Sequence, residues 1–161
     1  MDNLKFYEVD SAYIKYLSQH APHLFQNKQA GQHNERKYIG VVLHINGFDY
    51  FAPLSSFKPK HYKMPNTIDF IKIKNYAVIN LNNMFPVING VYSYVDINSQ
   101  KDPQYKNLLI AEYRFIKSIQ EKIRKNAKTL YQLKVNSITE NALTKRCNDF
   151  GLLEKICNDF K

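Results

Sequence analysis

A short segment near the middle of the chain combines two hydroxyls with two lysines and a histidine. The segment is Ser55-Ser56-Phe57-Lys58-Pro59-Lys60-His61, and it follows an alternating apolar stretch that ends at Leu54. Hydroxyl groups hydrogen-bond phosphate oxygens, and lysine ammonium groups neutralise phosphate charge. The segment therefore predicts a phosphate-binding loop, and the alternative is a solvated Ser/Lys loop without function.

A second cation comes from a different part of the chain. Arg36 directly precedes an apolar stretch at residues 37–45 and follows a polar, aperiodic segment at residues 22–34. Long aperiodic segments in compact domains are often functional. If this segment folds back, Arg36 and Lys58 flank one phosphate.

The chain lacks the sequence motifs of several other kinds of binding or catalytic site. The sequence contains no P-loop, no G-x-G-x-x-G, no H-E-x-x-H and no C-x-x-C. The histidines have no metal-ligand spacing, and His44 reads as an ordinary strand residue. The two cysteines, Cys147 and Cys157, make no disulfide framework. We expect neither a metal site nor a cofactor.

The charge of the chain favours a polyanionic partner. Lys and Arg number 23 against 14 Asp and Glu, which gives a net charge of +9 over 161 residues. Each neutralised phosphate releases condensed counterions, so a basic domain favours nucleic acid. A solvated basic face that keeps the protein soluble explains the charge equally well. The candidate RNA contacts are Lys37, Lys60, His61, Arg114, Lys117, Arg124 and Lys125.

The first hundred residues are predicted to form strands around one short helix. Residues 5–9 form the first strand, and Asp10 or Ser11 then caps a helix that carries Tyr13 on its apolar side. Asn46-Gly47 predicts a type I′ hairpin turn between strands at residues 37–45 and 48–54. Period-two spacing puts Ile39, Val41, Leu43 and Ile45 on one face of the first of these. Further strands are predicted at residues 68–73, 77–81 and 86–95.

The last third of the chain is predicted to be helical. Asp102 caps and Pro103 begins a long amphipathic helix, and a second helix is predicted at residues 128–135. Shorter helices are predicted around residues 140–146 and 151–158. The expectation is one α+β domain spanning 1–161, mainly β over 1–102 and helical over 103–161, whose core is a strongly twisted antiparallel sheet or small barrel. No apolar run approaches the roughly 18 residues of a membrane span, and the start lacks a signal-peptide core, so we expect a soluble, cytosolic protein.

Ordered fragments over nearly the whole chain resemble the ToxN/AbiQ family, the endoribonuclease toxins of type III toxin–antitoxin systems. The fragments are Lys5-Phe6-Tyr7, Tyr13-Ile14-Lys15-Tyr16-Leu17, Ile39-Gly40-Val41-Val42-Leu43, Ala52-Pro53-Leu54-Ser55-Ser56 with Lys58, Ile79-Asn80-Leu81, Met84-Phe85-Pro86-Val87 and the segment from Tyr105-Lys106 to Phe115-Ile116. The resemblance implies a twisted antiparallel sheet like that of the MazF/Kid toxins, with added helices. It also implies RNA cleavage without metal, inhibition by a repeated RNA pseudoknot, and closed protein–RNA assemblies.

The same resemblance implies site residues. The family's (A/P)-L-(T/S)-S-x-K motif falls on Ser55, Ser56 and Lys58, and the tyrosine of its first helix falls on Tyr13. The family's lysine before the hairpin strand falls on Arg36, which keeps the charge but does not exchange a proton. Tyr13 also lies on the apolar side of its helix, so core packing is an equal alternative. A family tyrosine in the long loop has no counterpart, since Gln32 or His33 stands there.

The leading hypothesis is a metal-independent endoribonuclease toxin that cleaves single-stranded mRNA. The ribose 2′-hydroxyl attacks its own 3′-phosphate, which leaves a 2′,3′-cyclic phosphate. Lys58 and Arg36 then stabilise the phosphorane charge, and Ser55 and Ser56 position its oxygens. Phage defence and plasmid maintenance stay open as biological roles. The alternatives are a non-catalytic basic RNA-binding module and, more remotely, a DNA-binding regulator.

Overall fold

The structure is a computed structural model that describes residues 2–24 and 36–161. Its centre is a seven-stranded antiparallel sheet. The strands β1 to β7 are Lys5–Val9, Tyr38–Ile45, Phe48–Ser56, Phe70–Ile73, Ala77–Asn80, Phe85–Val87 and Tyr92–Tyr94. The helices α1 to α4 are Ser11–Ser18, Pro103–Val135, Ala142–Lys145 and Phe150–Ile156. The predicted α+β class with a helical last third is confirmed, while the likeness to MazF and Kid stays a prediction. Most of the predicted long loop, residues 25–34, lies outside the described residues.

The hairpin of β2 and β3 is the centre of the sheet. Asn46 and Gly47 both have positive φ angles, 54° and 80°, as a type I′ turn requires. The order of the strands is β4-β5-β3-β2-β1-β7, and β6 pairs with the first half of β3. The predicted turn and strand pair are confirmed.

The alternation predicted along β2 is wrong at one position. Gly40 lies opposite Phe51 and Leu43 lies opposite Tyr50, so two extra residues, Val41 and Val42, enter β2 between these pairs. Residues within such a bulge leave the regular pleat, so they can point away from the face that the alternation assigns to them. Val41 therefore packs with the opposite core from Ile39 and Leu43.

The strand predicted at residues 86–95 is two strands. β6 pairs with β3 and β7 pairs with β1, so the two lie in different parts of the sheet. Gly90 between them has a φ of 90°, a backbone conformation that glycine adopts without strain. The turn was missed although Asn89-Gly90 is the same dipeptide as Asn46-Gly47.

The two helices predicted between residues 103 and 135 are one helix, α2. Asp102 caps it by accepting hydrogen bonds from the amides of Gln104 and Tyr105. The predicted interruption does not occur, because residues 124–128 contain neither glycine nor proline. No helix within the described ranges, α2 included, is long and apolar enough to cross a membrane.

The sheet has a hydrophobic core on each face. On one face, Phe6, Ile39 and Leu54 cluster with Ile116 and Ile123 of α2. We call this side the α2 face.

The opposite side of the sheet packs against α1 and α4. Tyr38 and Phe51 of the sheet cluster there with Tyr13 and Leu17 of α1 and with Leu153 of α4. We call this side the α1 face. Since successive strand residues point to opposite faces, the position of a residue along its strand decides which core it meets.

Candidate active site

Arg36 and Ser55 meet where β3 ends. The β2–β3 register pairs Tyr38 with Pro53, and a 3.0 Å hydrogen bond from the Leu54 amide to the Lys37 carbonyl extends it. This register places Arg36 beside Ser55. The Arg36 guanidinium donates to the Leu54 carbonyl at 3.2 Å, and the residue is 8 % exposed. Burial lowers the pKa of Arg36, opposed by Tyr38, yet an arginine keeps its charge in a protein.

Asn80 fixes the hydroxyl of Ser55. β5 pairs with the end of β3, and the Asn80 side chain donates to Ser55 Oγ at 3.0 Å. Because Ser55 Oγ accepts this bond, its own proton remains available for another acceptor. Sequence reasoning missed Asn80, although a polar residue that ends an apolar strand was a signal.

Ser56 and Lys58 share the side of the chain opposite to Ser55. Ser56 pairs with Ala77, which belongs to the hydrophobic core on the α2 face, whereas Ser55 pairs with Val78 and accepts a hydrogen bond from Asn80. Lys58 continues the extended backbone, with φ −113° and ψ 159°, so its side chain follows that of Ser56. Both residues are exposed. We call Arg36, Ser55, Ser56, Lys58 and Asn80 the strand-end site.

A 3₁₀ turn over Pro59–Tyr62 holds the backbone of Lys58. The Lys58 amide donates to His61 Nδ1 at 2.9 Å, and the His61 amide donates to the Lys58 carbonyl at 2.8 Å. The His61 ring also packs against the rings of Phe57 and Phe70. Burial lowers the pKa of His61, and Lys60, Lys58 and Lys72 lower it further, so the ring is neutral near pH 7.

Three residues expected to contact RNA or its phosphates lie inside the protein. Tyr13 is fully buried in the α1 core, and its hydroxyl donates to the Pro86 carbonyl at 2.6 Å. Lys37 is 6 % exposed, and its Nζ lies 2.7 Å from Glu8 and faces the Tyr105 ring of α2. His61 is buried as well. Burial and packing thus account for Tyr13, Lys37 and His61, which corrects the expectation of direct RNA contact.

The basic residues of α2 are of two kinds. Arg114, Lys117 and Lys125 are exposed. Arg124 is half-buried and donates to the backbone carbonyls of Val41 and Asp2. Three of the four predicted contacts therefore remain free for solvent or RNA, and Arg124 fastens the helix to the sheet.

The thiols and carboxylates of the described chain are scattered. Cys147 and Cys157 are both buried free thiols, and burial raises the pKa of Cys147 to about 11. Within residues 2–24 and 36–161, no three His, Cys, Asp or Glu side chains are grouped so that they could hold a metal ion.

The family model of the ToxN toxin of type III toxin–antitoxin systems matches residues 5–158. The chain belongs to this family. Among its relatives, the endoribonuclease ToxN of Bacillus thuringiensis subsp. kurstaki is 32% identical over 168 residues, which covers 99% of this chain and 86% of that protein. The endoribonuclease AbiQ of Lactococcus lactis subsp. lactis is 31% identical over 165 residues, covering 94% of this chain and 86% of that protein.

Solved structures of ToxN-family proteins have the same fold. One, described as showing selective toxin inhibition by a non-coding RNA pseudoknot, superposes with a TM-score of 0.82 and 30% identity, covering 98% of both chains. A second, from work on a processed non-coding RNA that regulates a bacterial antiviral system, has a TM-score of 0.85 and 29% identity over 97% of this chain and 98% of that one. AbiQ, described as a lactococcal anti-phage endoribonuclease, has a TM-score of 0.81 and 26% identity over 98% of this chain and 97% of its own.

Proposed function

We propose that this protein is an endoribonuclease toxin that cleaves single-stranded RNA at the strand-end site without a metal ion. The ribose O2′ bonds to the adjacent phosphorus, the bond from phosphorus to O5′ breaks, and a 2′,3′-cyclic phosphate and a free 5′-hydroxyl result. The observation that carries this proposal is the exposure of Ser56 and Lys58 on one side of the β3 end, with Ser55 and Arg36 on the opposite side of the same strand end. The family membership supports the activity.

Charge stabilisation is assigned to the two cations of the site. Negative charge grows on the phosphorane oxygens as O2′ attacks, and fixed positive groups lower the energy of that state. Lys58 is exposed and can contact those oxygens directly. Arg36, held on the Leu54 carbonyl, supplies a charge that need not reorganise during the reaction.

Orientation is assigned to the hydroxyls and their supporting side chains. Ser55 and Ser56 donate to phosphate oxygens from the two sides of the strand end, since their side chains point to opposite faces. Asn80 orients the Ser55 hydroxyl, and His61 holds the Lys58 backbone. Holding the phosphate in line with O2′ lowers the activation free energy of cleavage, because the reacting atoms no longer have to search over many orientations.

The partner that we propose is an inhibitory RNA pseudoknot, by analogy with the toxin described as inhibited by one. The exposed cations Arg114, Lys117 and Lys125 supply part of the electrostatic attraction, along with Lys60. Toxin and RNA then form a closed assembly in the cytoplasm, where both are produced. The whole chain acts as one domain in phage defence or plasmid maintenance.

The test is incubation of the purified protein with single-stranded RNA in EDTA. The expected products carry 2′,3′-cyclic phosphate and 5′-hydroxyl ends, identified by mass spectrometry. Intact RNA, or cleavage only after Mg²⁺ is added, contradicts the proposal. A substrate with 2′-O-methyl groups must stay intact, because it lacks the attacking hydroxyl.

The basic surface of α2 also fits a non-catalytic RNA-binding module. Growth separates the two functions, since a nuclease arrests cells that express it without its inhibitory RNA. Unchanged growth together with tight RNA binding favours the binding module.

A further inference from the structure

An aromatic surface lies at the β7 edge of the sheet, on strands other than those of the strand-end site. Tyr7 of β1 pairs with Tyr94 of β7, and Tyr92 lies two residues away on the same side of β7. The centroid of the Tyr7 ring is 5.6 Å from that of Tyr92 and 6.2 Å from that of Tyr94. We call Tyr7, Tyr92 and Tyr94 the tyrosine ladder.

The outer rings of the ladder are open to solvent. Tyr94 is 59% exposed and Tyr92 is 36% exposed. Edge strands usually present charged residues that discourage pairing with other chains. β7 is the sequence Tyr-Ser-Tyr and is exposed throughout. Exposed rings in this place need a reason beyond the packing of the sheet.

The base of the ladder is rigid. The Tyr7 ring stacks on Phe51 with centroids 4.6 Å apart and planes 26° apart. Phe51 in turn lies directly over Gly40, where an added Cβ would come within 2.2 Å of the ring. The exposed rings therefore rest on packed side chains, so little side-chain entropy is lost when a ligand contacts them.

A cation and a small cavity accompany the ladder. Lys5 Nζ lies 5.8 Å from the centroid of the Tyr94 ring. A cavity of about 210 Å³ lies beside the ladder and is lined by Tyr7, Lys5, Asp49 and Arg124, among others. Pockets for drug-sized ligands begin at roughly 300 Å³, so this one suits a single planar ring.

We propose that the tyrosine ladder and its cavity bind unpaired bases of the RNA substrate. Proteins that bind single-stranded nucleic acid combine aromatic stacking surfaces with basic side chains, and both are present here. The bases of a pseudoknot are largely paired with one another, whereas those of a single strand have free faces to stack. β7 lies three strands from β3, which is about 14 Å at the usual strand spacing of about 4.8 Å. A single RNA chain can therefore contact both the tyrosine ladder and the strand-end site.

This proposal rests on the endoribonuclease function proposed above, and a binding assay tests it independently of cleavage. The probe is a labelled single-stranded 2′-O-methyl oligoribonucleotide, titrated in EDTA by fluorescence anisotropy. Tyr94→Ala and Tyr92→Ala are each expected to weaken binding about ten-fold, because one stacked base is lost. Tyr94→Phe retains the ring and is expected to bind as wild type does. Leu133→Ala removes a comparably exposed apolar side chain from α2 and serves as the matched control.

Two further measurements define what overturns the proposal. Cleavage of a dinucleotide, which is too short to reach β7, is expected to be equal in wild type and Tyr94→Ala, while KM for a longer RNA rises. Inhibitory pseudoknot RNA is expected to bind wild type and Tyr94→Ala equally. Wild-type binding of the oligoribonucleotide by the Tyr92→Ala, Tyr94→Ala double variant overturns the proposal, as does weakening of pseudoknot binding alone. Absence of cleavage in every variant contradicts only the endoribonuclease function.

Discussion

The strand-end site and helix α2 both carry basic side chains, and they hold them in different ways. At the strand end, the Arg36 guanidinium is bonded to a backbone carbonyl and the Lys58 backbone is held twice by His61. On α2, Arg114 and Lys117 extend into solvent. Fixed charges stabilise a particular geometry of negative charge, whereas solvated charges provide a diffuse attraction that salt screens. The difference separates the groups expected to act in cleavage from those expected to act in binding.

One acidic residue of α2, Glu112, is buried, unlike the exposed basic residues of the same helix. Glu112 is only 3 % exposed. Burial raises the pKa of Glu112 to about 8. Helix α2 thus carries basic side chains that remain solvated and one carboxyl group, that of Glu112, whose burial favours its neutral form.

The largest expected effect comes from removing the exposed cation of the strand-end site. Lys58→Ala is expected to lower kcat for RNA cleavage about 100- to 1,000-fold, the usual loss when one group that stabilises transition-state charge is removed. Binding of the inhibitory RNA, measured by gel shift, is expected to remain close to wild type. Lys63→Ala, a nearby exposed lysine, is the control. Equal loss of cleavage and binding would show that Lys58 only binds RNA.

The next effect concerns stability and pH. Because Glu112 has a folded pKa near 8 against 4.5 in the unfolded chain, its protonation stabilises the fold below pH 4.5 and that contribution is lost as pH rises toward 8. Glu112→Gln, which is neutral at every pH, is expected to raise the free energy of unfolding at pH 7.5 by about 4 kcal/mol. Urea denaturation at several pH values measures it. Glu121→Gln, at an exposed position of α2, is expected to change little, and equal gains in both variants would contradict the burial argument.

A smaller effect is expected at the turn that holds Lys58. His61→Ala leaves the Lys58 amide without its acceptor and is expected to lower kcat about ten-fold with KM nearly unchanged. His61→Asn retains an acceptor and is expected to restore most of the activity.

The same turn predicts a pH dependence. The folded pKa of His61 lies below its ordinary value of 6.5, so the unfolded chain binds the proton more readily. Stability from the neutral ring is complete above pH 6.5 and is lost as pH falls below it. Activity and the free energy of unfolding of the wild type are both expected to fall in that range, with a weaker fall in His61→Asn. Identical pH profiles would remove His61 from the positioning of Lys58.

The smallest effect is expected from the solvated cations of α2. Replacing Arg114, Lys117 and Lys125 together by alanine is expected to weaken binding of all RNA sequences by a similar factor. The slope of log affinity against log salt concentration is expected to fall by about 2, since each single-strand phosphate contact contributes roughly 0.7. The kcat for cleavage is expected to stay unchanged, and a large loss of kcat would break the separation between fixed and solvated charge.

Local sequence patterns predicted most of the strands and the long helix. Asn46-Gly47 and Asp102-Pro103 act through the conformations of their own backbones, so their positions could be read directly. Two predictions were wrong. The strand over residues 86–95 was predicted because apolar residues continue beyond a turn, and the break before residue 128 was predicted within a helix that continues. The bulge after Gly40 could not be read, because it depends on pairing with β3.

The candidate site likewise has a part that the local sequence predicts and a part that depends on the fold. The sequence by itself determined that hydroxyls and cations cluster at residues 55–60, because they are neighbours in the chain. Only the tertiary structure decided that Arg36 lies beside Ser55, that Asn80 orients its hydroxyl and that Lys37 turns into the α2 face. Strand register decides these contacts, and a shift of one residue exchanges the two faces of the sheet. Register is set by the packing of both cores at once, which no local segment contains.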